Sequence, residues 1–395
     1  MVDSKKAASL GLLGWNFFLH LFKRYVLRKK SPGYDDFIEN YKADNIAPFS
    51  AIERERLPFY QRCIVCGACD ILCPSLNVLG NHLFVGPMGI ASCLSRDPTQ
   101  FSFAPDIFRC VICEACDKVC PEKVPVSEIV VYMKRKSHQL FPELLPPFYR
   151  KAVENIRTYG NVYRTVPKPA YATESSTLYW RGCYESYLYS NDDKTANMKL
   201  LDNFGILYQT MEERCCGGLP QQMGIEYDFS PTREKILSLR IERIITSCPL
   251  CQLSLSQKLP ELEVLNVVEA ISNRSIETSD ILNGKRCAYH DPCILGRKLG
   301  IYDAPRTIIE KMGASLVRLS REKEEAPCCG AGGAFGEVNP ELSRKIARDR
   351  IEEVLDSGAE ILVTACDMCA RQLGNALSQN ESLKILTLAE LLLKN

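Results

Sequence analysis

Eighteen of the twenty cysteines in this 395-residue chain fall into four ordered groups, and the groups come as two pairs. Residues 63–74 read C-I-V-C-G-A-C-D-I-L-C-P, and residues 110–121 read C-V-I-C-E-A-C-D-K-V-C-P. Cys183, Cys215, Cys216, Cys248 and Cys251 make a third group, and Cys293, Cys328, Cys329, Cys366 and Cys369 a fourth. Thiolate sulfur in this density and spacing is the donor set of iron–sulfur clusters, whose chemistry is electron transfer. In each of the first two groups, three cysteines on one tight loop can reach three irons of one cube. The fourth lies on the far side of the loop and reaches the other cluster. The spacing therefore assigns one cluster to Cys63, Cys66, Cys69 and Cys120, and a second to Cys110, Cys113, Cys116 and Cys73. Zinc could use the same ligands, but gives no reason for the crossed three-plus-one spacing. Pro74 and Pro121 turn the chain away after each crossing ligand, while Gly67, Ala68 and Ala115 are small enough to let backbone N–H groups approach sulfur. Cys93 and Cys287 fall outside the pattern and read as small buried hydrophobes.

The elements that must position these sulfurs repeat along the chain. Cys183 is followed after 31 residues by Cys215-Cys216, and after 31 more by Cys248-x2-Cys251. Cys293 is followed after 34 residues by Cys328-Cys329, and after 36 more by Cys366-x2-Cys369. The flanks agree, so this is a tandem duplication. Strands are expected over 286–290, 315–319 and 359–364, and helices over 304–312 and 340–357. This alternation predicts a small α/β layer with a parallel sheet in each copy. In both copies the last Cys-x2-Cys follows a strand and opens a helix, whose N-terminal amides suit an anionic cluster. The glycine-rich run after Cys329 would let backbone crowd around a bulky inorganic core. The chain is thus an α/β multidomain protein. Its expected parts are a basic amphipathic helix (1–30), an α-helical two-cluster domain (50–140), a linker with a short helix near 147–159 (141–176), and the two cysteine-rich domains (177–275 and 284–392).

Residues 84–110 and the two flanking runs resemble the cluster-bearing half of the iron–sulfur subunit of succinate dehydrogenase and fumarate reductase. Relatives there often hold a three-iron cluster in the second run. Here both runs keep four cysteines, so two cubane [4Fe-4S] clusters are expected. The tandem cysteine motif resembles the CCG domain, and the whole order, over about residues 55–390, resembles the D-type iron–sulfur subunit of heterodisulfide reductase. Iron–sulfur subunits of anaerobic glycerol-3-phosphate dehydrogenase and glycolate oxidase share the CCG domain. The resemblance implies two noncubane [4Fe-4S] clusters, one on Cys183, Cys215, Cys216, Cys248 and Cys251. The other, on Cys293, Cys328, Cys329, Cys366 and Cys369, would be a catalytic site for splitting a disulfide. The first copy departs from the pattern in its 31-residue second gap and in lacking the His290-Asp291-Pro292-Cys293 context. His290 could hydrogen-bond a cluster sulfur or protonate a substrate thiolate, or be a structural residue at a strand end. Arg297 and Lys298 could attract an anionic substrate, although a solvated face is the commoner place for such residues.

Composition narrows the partners. With 49 basic against 48 acidic residues, no basic excess exists to meet nucleic acid. No cleavable signal peptide is visible, and the cysteine spacings are those of metal ligands, so a reducing cytoplasm is expected. Residues 10–27 are rich in Leu and Phe, with Leu10, Leu13, Phe17, Phe18, Leu21, Phe22 and Tyr25 on one broad face. Asn16, His20, Lys23 and Arg24 interrupt the run, which should lie on a membrane surface or a partner rather than span a bilayer. Pro32 and Gly33 would end it. No G-x-G-x-x-G or C-x-x-C-H occurs, so a flavin- or haem-containing redox subunit must be separate. A membrane cytochrome or quinone is a further expected partner. Two functions follow: an iron–sulfur subunit with disulfide reductase chemistry, or a relay between a flavin dehydrogenase and membrane quinone.

Overall fold

The computed structural model describes residues 4–28, 33, 36, 39–40, 50–96, 104–164, 174–188, 194–272, 274, 282 and 284–393. The expected helix stop at Pro32 and residues 165–173 of the expected linker lie outside the described residues. Contacts divide the chain into two units, Met1–Arg54 and Glu55–Asn395.

Each cysteine-rich copy builds one parallel sheet. The first holds β1 (Thr177–Trp180), β2 (Arg243–Thr246) and β3 (Glu263–Asn266), in the order β1-β2-β3. The second holds β4 (Arg286–His290), β5 (Ser315–Leu316), β6 (Ile361–Thr364) and β7 (Lys384–Thr387), in the order β5-β4-β6-β7. The central strands are buried on both faces, which is why they read as unbroken apolar runs such as Ile361-Leu362-Val363. Trp180 pairs with Thr246 as His290 pairs with Thr364, so the registers of the two copies coincide. In the first copy a single parallel bridge, Leu178 to Gln209, stands where β5 stands in the second. β5 itself is shorter than the expected 315–319, because the Glu322 carboxylate accepts the Leu319 N–H at 2.8 Å and bends the chain off the edge. One apolar core runs through both copies, joining Tyr179, Ile245 and Val268 to Tyr289, Ile309 and Val363.

The shorter second gap of the first copy is absorbed by one helix. Ser230–Ser238 precedes β2, where the longer Pro340–Asp356 precedes β6. The two-cluster region is a set of short helices around two cysteine loops, closed by the longer Val126–Leu140. The segment expected as a linker carries the helix Pro147–Tyr159, and this helix is packed: Tyr149 is buried and donates to Gly333 O at 3.3 Å. Gly160, at φ 70°, ends that helix, and its carbonyl accepts the Cys215 N–H at 2.9 Å.

In the N-terminal unit the helix Ser4–Leu21 continues as a π-helical turn, Phe22–Val26. Leu12, Leu13, Trp15, Phe17, Phe18, Phe22, Tyr25 and Val26 are all exposed. No helix among the described residues is long and apolar enough to cross a membrane.

Candidate iron–sulfur centres

The two cysteine loops of the ferredoxin-like region share an unusual backbone. Val65 and Gly67 in the first, and Ile112 and Glu114 in the second, have φ between 51° and 79°. β-branched residues resist that conformation. Its use at matching positions turns successive amides inward, a concavity that favours anions; Ile112 N–H points at Cys110 Sγ, 3.4 Å away. Cys69 then sits in the helix Ala68–Ile71, and Cys116 in Ala115–Val119. Cys63, Cys66, Cys69 and Cys120 line one cavity, and Cys73, Cys110, Cys113 and Cys116 line another. Each cavity thus gathers three cysteines of one run and the last of the other. Burial pushes the Cys69 thiol up to about 12 and the Cys110 thiol up to about 11. Thiols so placed do not ionise unaided, and a cationic iron core is what lets them do so.

All ten cysteines of the third and fourth groups line a single cavity of about 940 Å³, its open mouth included. The Cys-x2-Cys pairs arrive as expected: Cys248 caps the helix Pro249–Lys258 after β2, and Cys366 caps Asp367–Gly374 after β6. Cys215, Cys216, Cys328 and Cys329 are buried on their turns. Gly217 N–H points at Cys215 Sγ (3.3 Å), as Gly330 N–H does at Cys328 Sγ (3.4 Å). Within each set the thiols lie in hydrogen-bonding reach of one another, Cys216 between Cys215 and Cys251, and Cys329 between Cys328 and Cys369. Five sulfurs this close, three of them buried in each set, fit a multinuclear metal core better than isolated thiols, because as thiolates they would repel.

His290 ends β4 with its side chain wholly buried, and one of its ring nitrogens, Cys329 Sγ and Cys369 Sγ fall within 4.8 Å of one another. Burial holds this imidazole below its ordinary value. At the matching place in the first copy stands Trp180, also buried, while Lys258 donates to Cys216 O at 3.0 Å. The two sites therefore differ in their nearest polar groups. Cys287 lies in the apolar core, away from the sulfur-lined cavities.

Sequence reasoning missed several polar residues. Glu213 accepts the N–H groups of Arg181 and Gly182, both at 2.7 Å, and so fixes the entry to Cys183. Glu185 accepts from Tyr179 Oη at 2.7 Å and from Asn197 Nδ2 at 3.3 Å on the cavity wall; burial, reinforced by the Asp367 carboxylate, pushes its carboxyl up. Acids two residues after Cys183 and one after Cys366 are the only trace of this pair in the sequence. Arg297, expected at a solvated face, is 4% exposed and donates to Cys113 O (2.7 Å), Ala326 O (2.7 Å) and Glu324 O (3.0 Å). It is drawn in because the Cys113 loop docks on this domain. The Cys113 thiol comes within hydrogen-bonding reach of Cys328, so the second ferredoxin-type site abuts the second cysteine-rich site.

Family comparisons agree with this geometry. Residues 60–124 match the 4Fe-4S dicluster domain, and residues 177–256 and 287–374 match the cysteine-rich domain family named CCG. The chain is an iron–sulfur protein built from one dicluster domain and a tandem pair of CCG domains, related to oxidoreductase subunits. Among its relatives is the EtfAB:quinone oxidoreductase of Syntrophomonas wolfei, 29% identical over 255 residues, or 57% of this chain and 35% of that protein. Another is the D-type subunit of the dihydromethanophenazine:CoB–CoM heterodisulfide reductase of Methanosarcina mazei, 27% identical over 270 residues, covering 62% of this chain and 64% of that one. The probable iron-sulfur-binding oxidoreductase FadF of Bacillus subtilis is 27% identical over 229 residues, or 53% of this chain and 32% of that protein. The chain thus spans between about a third and two thirds of the length of these relatives.

Proposed function

We propose that this protein is the electron-carrying subunit of a multi-subunit oxidoreductase, holding two cubane and two noncubane [4Fe-4S] clusters. Cys63, Cys66, Cys69 and Cys120 would hold the first cubane, and Cys73, Cys110, Cys113 and Cys116 the second. The five-cysteine sets on Cys183 and Cys293 would hold the other two. Bound clusters of this kind supply one-electron transfer. The observation that carries the reading is the shared cavity: ten cysteines from both CCG domains face one space, with the second cubane site against it at Cys113 and Cys328. A disulfide needs two electrons and two protons to become two thiols. A cavity walled by two sulfur-rich sites can hold the two sulfurs of one substrate, one beside each. The Glu185–Asp367 pair lines that space and would orient the substrate there, while His290, beside Cys329 and Cys369, would hydrogen-bond a cluster sulfur.

The second reading is a relay from a flavin-containing partner to membrane quinone. The exposed Leu, Trp and Phe side chains of residues 12–26 favour it, since such a helix can rest in the membrane interface. The name of the Syntrophomonas relative couples quinone to EtfAB, in keeping with the same arrangement. On this reading the protein works at the cytoplasmic face of a membrane.

Iron and acid-labile sulfide on the order of sixteen each per chain are expected for four such clusters. Zinc in their place would sink both readings. A paramagnetic signal appearing on oxidation in the presence of a thiol supports disulfide chemistry. Its absence, with quinone-dependent reoxidation in membranes, supports the relay.

A further inference from the structure

The two ferredoxin-type sites differ in how they are enclosed. At the first, Cys66 is exposed, and the neighbouring cations Arg62 and Lys123 are exposed as well, so water screens them. At the second, Val111, Ile112 and Cys113 are buried beneath the Gly332–Gly333 turn of the second CCG domain. Burial opposes adding an electron to an already anionic site. Both sites carry an aspartate after their third cysteine, Asp70 and Asp117, so the acids do not distinguish them. The cations do. Arg297 is buried with all three of its hydrogen bonds ending on carbonyl oxygens, one of them that of Cys113. The loop's own acid, Glu114, is taken by Lys298 at 2.6 Å instead. Lys134, 1% exposed in the helix Val126–Leu140, extends its ammonium 5.7 Å from the Tyr149 ring centre and towards the Gly333 turn. Its charge also acts on the Cys110 thiol, as that of Arg297 acts on Cys113, Cys293 and Cys328.

We propose that Arg297 and Lys134 are positioning and charge-compensating residues that keep the buried second cluster reducible, with Arg297 also pinning the Cys113 loop to the turn that carries Cys328. The proposal rests on the iron–sulfur reading above. A buried cation beside a cluster favours its more negative, reduced form, as an opposite charge favours any ionised group. The cations next to the first site in sequence, Arg62 and Lys123, are exposed instead.

The test is a potentiometric titration of the holoprotein followed by electron paramagnetic resonance, for the wild type, Lys134→Met, Arg297→Met and Arg297→Lys. Metal and sulfide analysis comes first. Zinc in place of iron overturns the iron–sulfur reading and this proposal with it; intact clusters leave the proposal to stand or fall alone. In each methionine variant one cubane signal should lose roughly tenfold in its reduction equilibrium, about 59 mV for one electron. The other cubane signal should stay in place. Arg297→Lys keeps the charge and should hold the midpoint near that of the wild type. Unchanged midpoints in the methionine variants, or equal shifts of both cubanes there, would overturn the proposal. If Arg297→Met does not fold, Lys134→Met decides the matter by the same readout.

Discussion

Glu128 illustrates how single charges contribute around the sulfur sites. Burial pushes its carboxyl up, but hydrogen bonds from Arg56 Nε (2.7 Å) and Tyr60 Oη (2.6 Å) outweigh this and hold it below its ordinary value. A depressed carboxyl stabilises the fold above the unfolded value, near 4.3, and that stabilisation is lost as pH falls through the folded one. The side chains of Arg56 and Glu128 are 40% and 38% exposed, so solvent screens much of the gain. Arg56→Met should therefore lower the melting temperature by only about 1–3 °C at neutral pH. The gap to the wild type should narrow below about pH 4.3, and parallel anaerobic melts across that range would check it. At this scale the cysteines were legible in the sequence, because ligation restricts both residue type and spacing. Arg297 was not, since nothing local distinguishes an arginine beside Lys298 on a surface from one clamped under a loop 184 residues distant.

Among the elements, the turn after Cys329 has a further reason for its glycines beyond the one the sequence suggests. A Cβ at Gly332 would stand 2.2 Å from Val111 O, and one at Gly330 would stand 2.7 Å from Ser343 O. These glycines make room for neighbouring backbone as well as for any cluster. Because a carbonyl oxygen of a packed loop cannot swing aside, Gly332→Ala should cost roughly 1–3 kcal/mol and part the Val111 loop from the Cys328 turn. On the proposed cluster assignment, electron passage from the Cys110–Cys116 site to the neighbouring CCG site should slow, read by freeze-quench spectroscopy. Gly336→Ala is the control, as its Cβ would meet nothing closer than 3.4 Å. In the second copy, β4, β6 and the long helices were readable from apolar periodicity, β4 to the residue, whereas β7 was not placed. The length of β5 was not, because it is set by one side-chain hydrogen bond from Glu322.

For the whole molecule, the duplication matters more than either copy. The two sheets share one core and direct both cysteine sets into one space, although their gaps differ in length. The difference falls in the helix Ser230–Ser238, outside the cavity lining, so the irregular spacing of the first copy does not displace its sulfurs. The N-terminal unit is separate by its contacts. Removing residues 1–28 should leave the clusters and the melting temperature unchanged while releasing the protein from anionic vesicles in a flotation assay. Unaltered flotation would refute a membrane role for that helix. This organisation was visible in the sequence as a repeat, but the meeting of its halves in one cavity was not, because it depends on packing between residues more than a hundred positions apart.

The contact of Gly332 with Val111 also bears on how the protein is made. The ferredoxin-like loops leave the ribosome some two hundred residues before the turn that covers them. Until that turn arrives, the Cys110–Cys116 loop lacks its roof and its Arg297 clamp. A chain stopped before β4 would hold every cysteine of the two-cluster region and still offer its second site to water and oxygen. On the proposed cluster assignment, loading at that site would have an open period, ending when the C-terminal domain folds over it.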